Sequence, residues 1–261
     1  MVKQRTSFRR EHPTLVRALL LLLTLGLAVG AGLAFGAWTL VCRGGQCPPV
    51  ESLNDYTPRQ TSKLYAADGR FIAELGLERR TLVRLDEIPL NVQQAFVITE
   101  DKRFYSHAGI DWRRIFGALV RDVLARSFDE GFSTITMQLA RNVFPERISR
   151  EKTLVRKIKE GKVARQIEQK FDKKKILELY LNQINLGNGA YGVETAAQRY
   201  FGKSVRDLNI AEAATLAALP KAPERYNPKR HPDRAIQRRN TVIELMRKNG
   251  AITDVEAREA K

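Results

Sequence analysis

Glu100 and Asp101 close an apolar run, Phe96-Val97-Ile98-Thr99, and are followed at short spacings by Phe104, His107 and Gly109. A glutamate carried by helical turns to the edge of a core loses hydration, which raises its proton affinity toward that of a usable general base. Adjacent helical residues do not share a face, so Glu100 and Asp101 are not expected to share a proton. By itself such a pair is more often a solvated helix end than a catalytic site. A second carboxylate, Glu160, lies among cations: Lys152 and Arg156 precede it by eight and four residues, and Lys159 follows Arg156 by three. Fixed ammonium and guanidinium groups suit a diphosphate ligand, because they neutralise the charge that grows on such a leaving group. The plain alternative is an Arg156–Glu160 intrahelical pair worth roughly 0.2–0.5 kcal/mol. Between the two acids, Thr134, Gln138 and Arg141 fall on one face of a predicted helix, with Ile135, Leu139 and Val143 on another. That polar stripe could hold a ligand, although by itself the pattern is more often that of an amphipathic surface helix.

The elements that must position these groups follow from the hydropathy pattern. Residues 1–17 form a basic tail with Lys3, Arg5, Arg9, Arg10 and Arg17 against Glu11, and 18–41 form an uncharged apolar run. At about 1.5 Å per helical residue the run covers the roughly 30 Å hydrocarbon core of a bilayer. It exceeds the usual 7–15 residues of a cleaved signal segment, so we expect a retained signal anchor with the N-terminus cytoplasmic and the remainder outside. Residues 42–61, with Gly44-Gly45 and Pro48-Pro49, read as a linker, and Cys42 and Cys47 either pair there or stay free. Residues 62–88 read as a small β segment: a hairpin turning at Asp68-Gly69, with 81–85 as a third strand.

Residues 89–249 read as helices. Asp111 is expected to cap a helix whose Ile115, Phe116, Leu119, Val120, Val123 and Leu124 face a core, and Ser133 to cap the next. Gly161, inside a helix, points to a kink or a close backbone approach. Asp172 starts a helix with Ile176, Leu177, Tyr180, Leu181 and Ile184 inward, and Asn209 with Glu212 forms a capping box. The fold class is therefore mainly α, with one small N-terminal hairpin after one transmembrane helix.

A length of 261 residues allows a full core, and a formal charge of +16 calls for an anionic partner. Nucleic acid fits the charge and conflicts with the expected outside location. Two cysteines and three histidines supply neither a disulfide framework nor a four-ligand zinc site.

In this order the stretches resemble the peptidoglycan glycosyltransferase family of class A penicillin-binding proteins and monofunctional transglycosylases. Glu100-Asp101-x-x-Phe104-x-x-His107-x-Gly109 resembles the family's first motif, and the stretch from Gly131 to Gln138 its second. Arg156-Lys157-x-x-Glu160 resembles the third, followed by the stretches 176–182 and 189–194. The resemblance covers residue 62 to the end and implies a lysozyme-like fold with a cleft beside the membrane. It implies lipid II and the growing lipid-linked glycan as substrates, joined through a β-1,4 bond with inversion and release of undecaprenyl diphosphate. Glu100 would be the base on the acceptor hydroxyl and Glu160 the second catalytic carboxylate. Substrate would be bound by Asp101, Phe104, His107, Ser133, Thr134, Gln138, Arg141, Asn142, Lys152, Arg156, Lys157 and Lys159. A divalent cation, Mg2+ or Mn2+, is implied as cofactor, with no organic cofactor and no metal ligands identified. Expected partners are the inner membrane and other cell-wall synthesis or division proteins.

The chain departs from the family pattern at Phe132, where a glycine is usual, and at Met137, where a glutamine is usual, so an amide is lost from the expected sugar-binding face. Arg141 and Lys152 exchange a lysine and an arginine, keeping charge while changing geometry. Residues 250–261 resemble the run-on to a further domain, and we expect the N-terminal part of a longer bifunctional protein. The competing expectations are a membrane-anchored scaffold binding peptidoglycan or lipid, and a lysozyme-like muramidase.

Overall fold

The structure, a computed structural model, describes residues 13–54, 56, 62–75, 79–125, 131–148, 151 and 153–261. It divides into two units, Met1–Cys47 and Pro48–Lys261. In the first, α1 (Pro13–Leu40) leaves Leu21, Leu33 and Phe35 about 70% exposed, and its mean hydropathy is 2.4. A helix apolar on every side has no partner in water, and lipid is the solvent that suits it. Among the described residues it is the one helix long and apolar enough to cross a membrane, which fits a single-pass membrane protein. A disulfide joins Cys42 to Cys47 at its end.

The second unit is mainly helical. Strands β1 (Ser62–Tyr65) and β2 (Phe71–Leu75) pair antiparallel as the expected hairpin. The expected third strand is absent over 81–85. Instead β3 (Arg79–Arg80) pairs in parallel with the distant β4 (Ala190–Tyr191). The backbone after it bonds to side chains: Thr81 donates to Thr195, while the Asn182 amide accepts from Val83 N–H at 3.0 Å and donates to its carbonyl at 2.8 Å. Backbone groups satisfied by side chains need no ladder.

The core is built on α2 (Leu90–Asp101), whose Val92, Ala95, Phe96 and Val97 are buried. Helices α8 (Ile210–Ala218) and α9 (Pro232–Lys248) pack on it, and the small residues Ala213, Ala214 and Ala217 of α8 allow close approach. Helix α4 (Ile135–Val143) also meets α2 and rests on α5 (Leu154–Lys170) and α6 (Lys173–Gln183). The inward residues expected on α6 are all buried, with Tyr180 edge-on to Phe96. Asp172 and Asn209 cap α6 and α8 as expected. Helix α7 (Val193–Phe201) and α10 (Asp254–Glu259) complete the unit, with Ile252 and Ala257 buried near the end of the chain.

Helix α3 (Trp112–Ala125) differs from expectation. Asp111 caps it through Arg114 N–H, but Phe116 is 63% exposed and Trp112 54% exposed, so this end of the apolar stripe faces outward. The side chains of residues 119–125 lie outside the described set. The cap of α4 is Thr134 and not Ser133, because the Thr134 hydroxyl accepts from Met137 N–H. Gly161 is buried within an unbroken α5.

Candidate active site

Glu100 sits in the last turn of α2, half-buried, and its carboxylate accepts a hydrogen bond from Gln138 Nε2 of α4 at 2.8 Å. Burial raises its proton affinity above that of an ordinary glutamate. The Gln138 bond and the charges of Arg238 and Arg114 oppose the rise, and Asp101 adds to it. Gln138 is itself oriented from behind, where Tyr180 O–H points at Oε1 over 3.5 Å. Burial likewise pushes the Tyr180 phenol well up, leaving it a neutral donor.

Asp101 turns the other way, as adjacent helical positions require. It accepts from Ile135 N–H at 3.1 Å and from His107 Nε2 at 3.0 Å, so it pins the first residue of α4 to the end of α2. Thr134 Oγ1 adds a 2.6 Å bond to the carbonyl of Gly109. Gly109 has φ +87°, and a Cβ there would lie 2.8 Å from the Ala164 backbone of α5, so the turn after α2 lies directly on that helix. Phe104 is enclosed beneath Lys173 Nζ, 4.3 Å from the ring centroid. Lys173 also donates to the His107 carbonyl and to Glu168, each at 2.7 Å, and Glu168 accepts from Thr136.

Glu160 is fully buried on α5 and is the centre of a cation cluster. Arg156 Nη1 reaches it at 2.5 Å, Lys157 Nζ at 2.9 Å and Arg141 Nη1 at 3.1 Å. Three cations on one carboxylate leave two positive charges uncompensated, and Arg141 and Lys157 keep part of their side chains at the surface. Lys157 also donates to Ser133 Oγ and lies over the Phe132 ring at 5.4 Å. Burial lowers its proton affinity, and Glu160 works against that shift.

The structure therefore brings Glu100, Gln138, Arg141, Arg156, Lys157, Glu160 and Ser133 together around α4, and sorts the other expected site residues differently. Asp101, Phe104 and Thr134 have almost no exposed surface, and the His107 side chain is 8% exposed, so these four support the site from within and offer little or nothing for a substrate to touch. Lys159 is half-buried and makes no ion pair with Glu160, whose carboxylate is taken by Lys157, one turn before the acid. Asn142 is half-buried with its amide nitrogen enclosed and without a hydrogen-bond partner. Lys152 lies outside the described residues. Met137 is buried, so it borders the core and not a sugar-binding face, while Phe132 belongs to the cation cluster.

For a divalent cation, the described residues that come together are Asp101, His107 and Asp111, with ligating atoms within 4.8 Å. They do not fit one: Asp101 is engaged by His107 and Ile135 N–H, and Asp111 by the Arg103 guanidinium and Arg114 N–H. A guanidinium on one of three would-be ligands already supplies the positive charge.

Nothing in the sequence marks Arg114, Glu168, Lys173 or Tyr180 as site residues. Each acts across 14 to 66 positions of chain, and no local spacing signals such a contact.

The site is thus a desolvated glutamate at the end of α2 and a cation-clasped glutamate on α5, bridged by the side chains of α4. The chain belongs to the transglycosylase family, whose model matches residues 68–247. It is 53% identical over 213 residues to penicillin-binding protein 1A of Aquifex aeolicus, covering 82% of this chain and 29% of that protein. It is 46% identical over 238 residues to penicillin-binding protein 1A of Escherichia coli, covering 91% and 27%. The crystal structure of penicillin-binding protein 1A from Haemophilus influenzae aligns over 78% of this chain and 20% of that one, with a TM-score of 0.47 and 29% identity. The chain thus spans under a third of the length of these relatives.

Proposed function

We propose that the chain is a peptidoglycan glycosyltransferase that polymerises lipid II into β-1,4-linked glycan strands, with inversion and release of undecaprenyl diphosphate. The observation that carries the reading is the helix α4, which presents Gln138 to Glu100 and, one turn on, Arg141 to Glu160. One rigid element thereby sets the spacing between a proton acceptor and a surplus of positive charge. Glu100 takes the proton from the 4-hydroxyl of the incoming lipid II. That oxygen forms a bond to C1 of the lipid-linked glycan as the bond from C1 to the diphosphate oxygen breaks. The departing diphosphate carries its electron pair and its charge toward Arg141, Arg156 and Lys157. Attack and departure lie on opposite faces of C1, so the α-linked donor yields a β bond. Glu160, with no exposed surface, organises these cations and does not itself touch sugar. A muramidase needs no cation cluster for its leaving group, which favours synthesis over cleavage.

Within this reading α1 holds the unit at the outer face of the inner membrane, with the N-terminus cytoplasmic, where lipid-linked substrates are confined. The test is polymerisation of labelled lipid II by the full chain in detergent. Wild type should build a polymer ladder on a gel and Glu100→Gln should not. Equal activity of the two, or no polymer from wild type under conditions that serve a known polymerase, overturns the proposal.

A further inference from the structure

Glu100 is held at both ends, and the second hold comes from a residue that no motif of the chain marks. Its carboxylate is bound by Gln138, while its carbonyl oxygen, in the final turn of α2, has no partner further along the helix. Arg114, in the first turn of α3, supplies one: Nη1 donates to the Glu100 carbonyl at 2.6 Å. The other arm of the same guanidinium, Nη2, donates to the Gly131 carbonyl at 2.9 Å, three residues before the cap of α4. The first turn of α3 is in turn fixed to Asp111, which accepts Arg114 N–H at 2.9 Å and the Arg103 guanidinium. The bonds close a ring: Glu100 carbonyl, Arg114, Gly131, α4, Gln138, Glu100 carboxylate.

We infer that Arg114 is a positioning residue that locks the base Glu100 and the approach to α4 into one unit. The planar fork of arginine is needed for this, because two carbonyls in different segments must be bound at once by groups of fixed geometry, and a lysine ammonium is a single point. A slip of either segment would part Glu100 from Gln138 and move Ser133 and Arg141 relative to the base. The charge of Arg114 also favours the ionised form of Glu100, a second contribution separable from the first. The groups facing Glu100 are Gln138 from α4, Arg238 from α9, Tyr180 from α6, Arg114 from α3 and Asp101 on its own helix. Of these, it is Arg114 whose side chain binds the Glu100 backbone.

The inference rests on Glu100 being the base, and the experiment separates the two ideas by reading Glu100 directly. The full chain in detergent, labelled with 13C at glutamate carboxyls, is titrated by NMR as wild type, Arg114→Gln and Arg114→Lys, and lipid II polymerisation is followed in parallel. Expected for Arg114→Gln is a Glu100 titration moved to higher pH and a kcat lower by about 10- to 100-fold. For Arg114→Lys the titration stays near that of wild type while kcat still falls, since charge is kept and the fork is lost. A wild-type kcat in Arg114→Lys, or a Glu100 titration unmoved in Arg114→Gln, overturns the inference. If Arg114→Gln does not fold, the Arg114→Lys arm decides alone. If wild type makes no polymer the glycosyltransferase reading fails, and the titrations still decide whether Arg114 acts on Glu100.

Discussion

Replacing Glu160 by glutamine tests whether this acid organises cations or takes part in the reaction. The change keeps the volume and removes the one negative charge inside a cluster of Arg141, Arg156 and Lys157, each within 3.1 Å of it. An amide retains a single acceptor oxygen and brings N–H donors toward groups that are themselves donors. Removing one partner from a buried ion pair costs about 3–5 kcal/mol, because the surviving charge is left desolvated. For a unit of this size about 2–4 °C of Tm accompanies each kcal/mol, so a fall of roughly 6–20 °C is expected. Lys157 sets the pH dependence. Burial already lowers its proton affinity, and Glu160 is what holds it up. Without Glu160 its folded-state pKa drops further below the unfolded value, so stability should rise as pH rises and Lys157 sheds its proton. The deficit of Glu160→Gln against wild type should therefore be largest near pH 6 and smaller near pH 9, measured by thermal unfolding in detergent. Polymerisation should weaken chiefly through a raised KM for the lipid-linked donor. A variant with wild-type Tm at both pH values and no activity would refute this, since it would place Glu160 among the reacting groups.

Glu100→Gln should leave the fold intact and raise Tm at neutral pH, a gain on the order of 1 kcal/mol, because a desolvated charge is removed. A carboxyl whose folded-state pKa is raised contributes stability below its unfolded pKa and loses it as pH rises through the folded value. The gain from Glu100→Gln should therefore vanish in unfolding measured near pH 4. In wild type the same shift should place the acid limb of the polymerisation rate at higher pH than a solvated glutamate would. Gln138→Leu removes a bond that favours the ionised form, and initial rates should show that limb moved to still higher pH. Gly109→Ala should cost about 2–4 kcal/mol in thermal unfolding, since the left-handed backbone disfavours a side chain and a Cβ would strike the Ala164 backbone.

Local chemistry shows what was legible. The apolar N-terminal helix, the Asp68-Gly69 turn and the caps at Asp172 and Asn209 are short-range consequences of residue type, and they stand where the sequence places them. The helical character of the second unit follows from the same periodicities. Where neighbours far along the chain decide, sequence reasoning failed. Residues 81–85 look like a strand, but Asn182 and Thr195 take their backbone groups. Phe116 looks like core and is exposed. Lys159 looks like a phosphate ligand, and Lys157 holds the acid instead.

The sequence by itself determined that two glutamates, a polar helical stripe and a run of cations exist at suitable spacings behind an apolar run. Spacing along a helix fixes direction only to within a turn, and it says nothing of what lies across. Only the tertiary structure decided that Asp101, Phe104, His107 and Thr134 form the support, that Met137 faces the core, and that Glu160 is sealed from solvent. These outcomes depend on which helix covers which face. That choice is made by the packing of α4 against α2, α5 and α6, whose contacting residues are tens of positions apart in the chain.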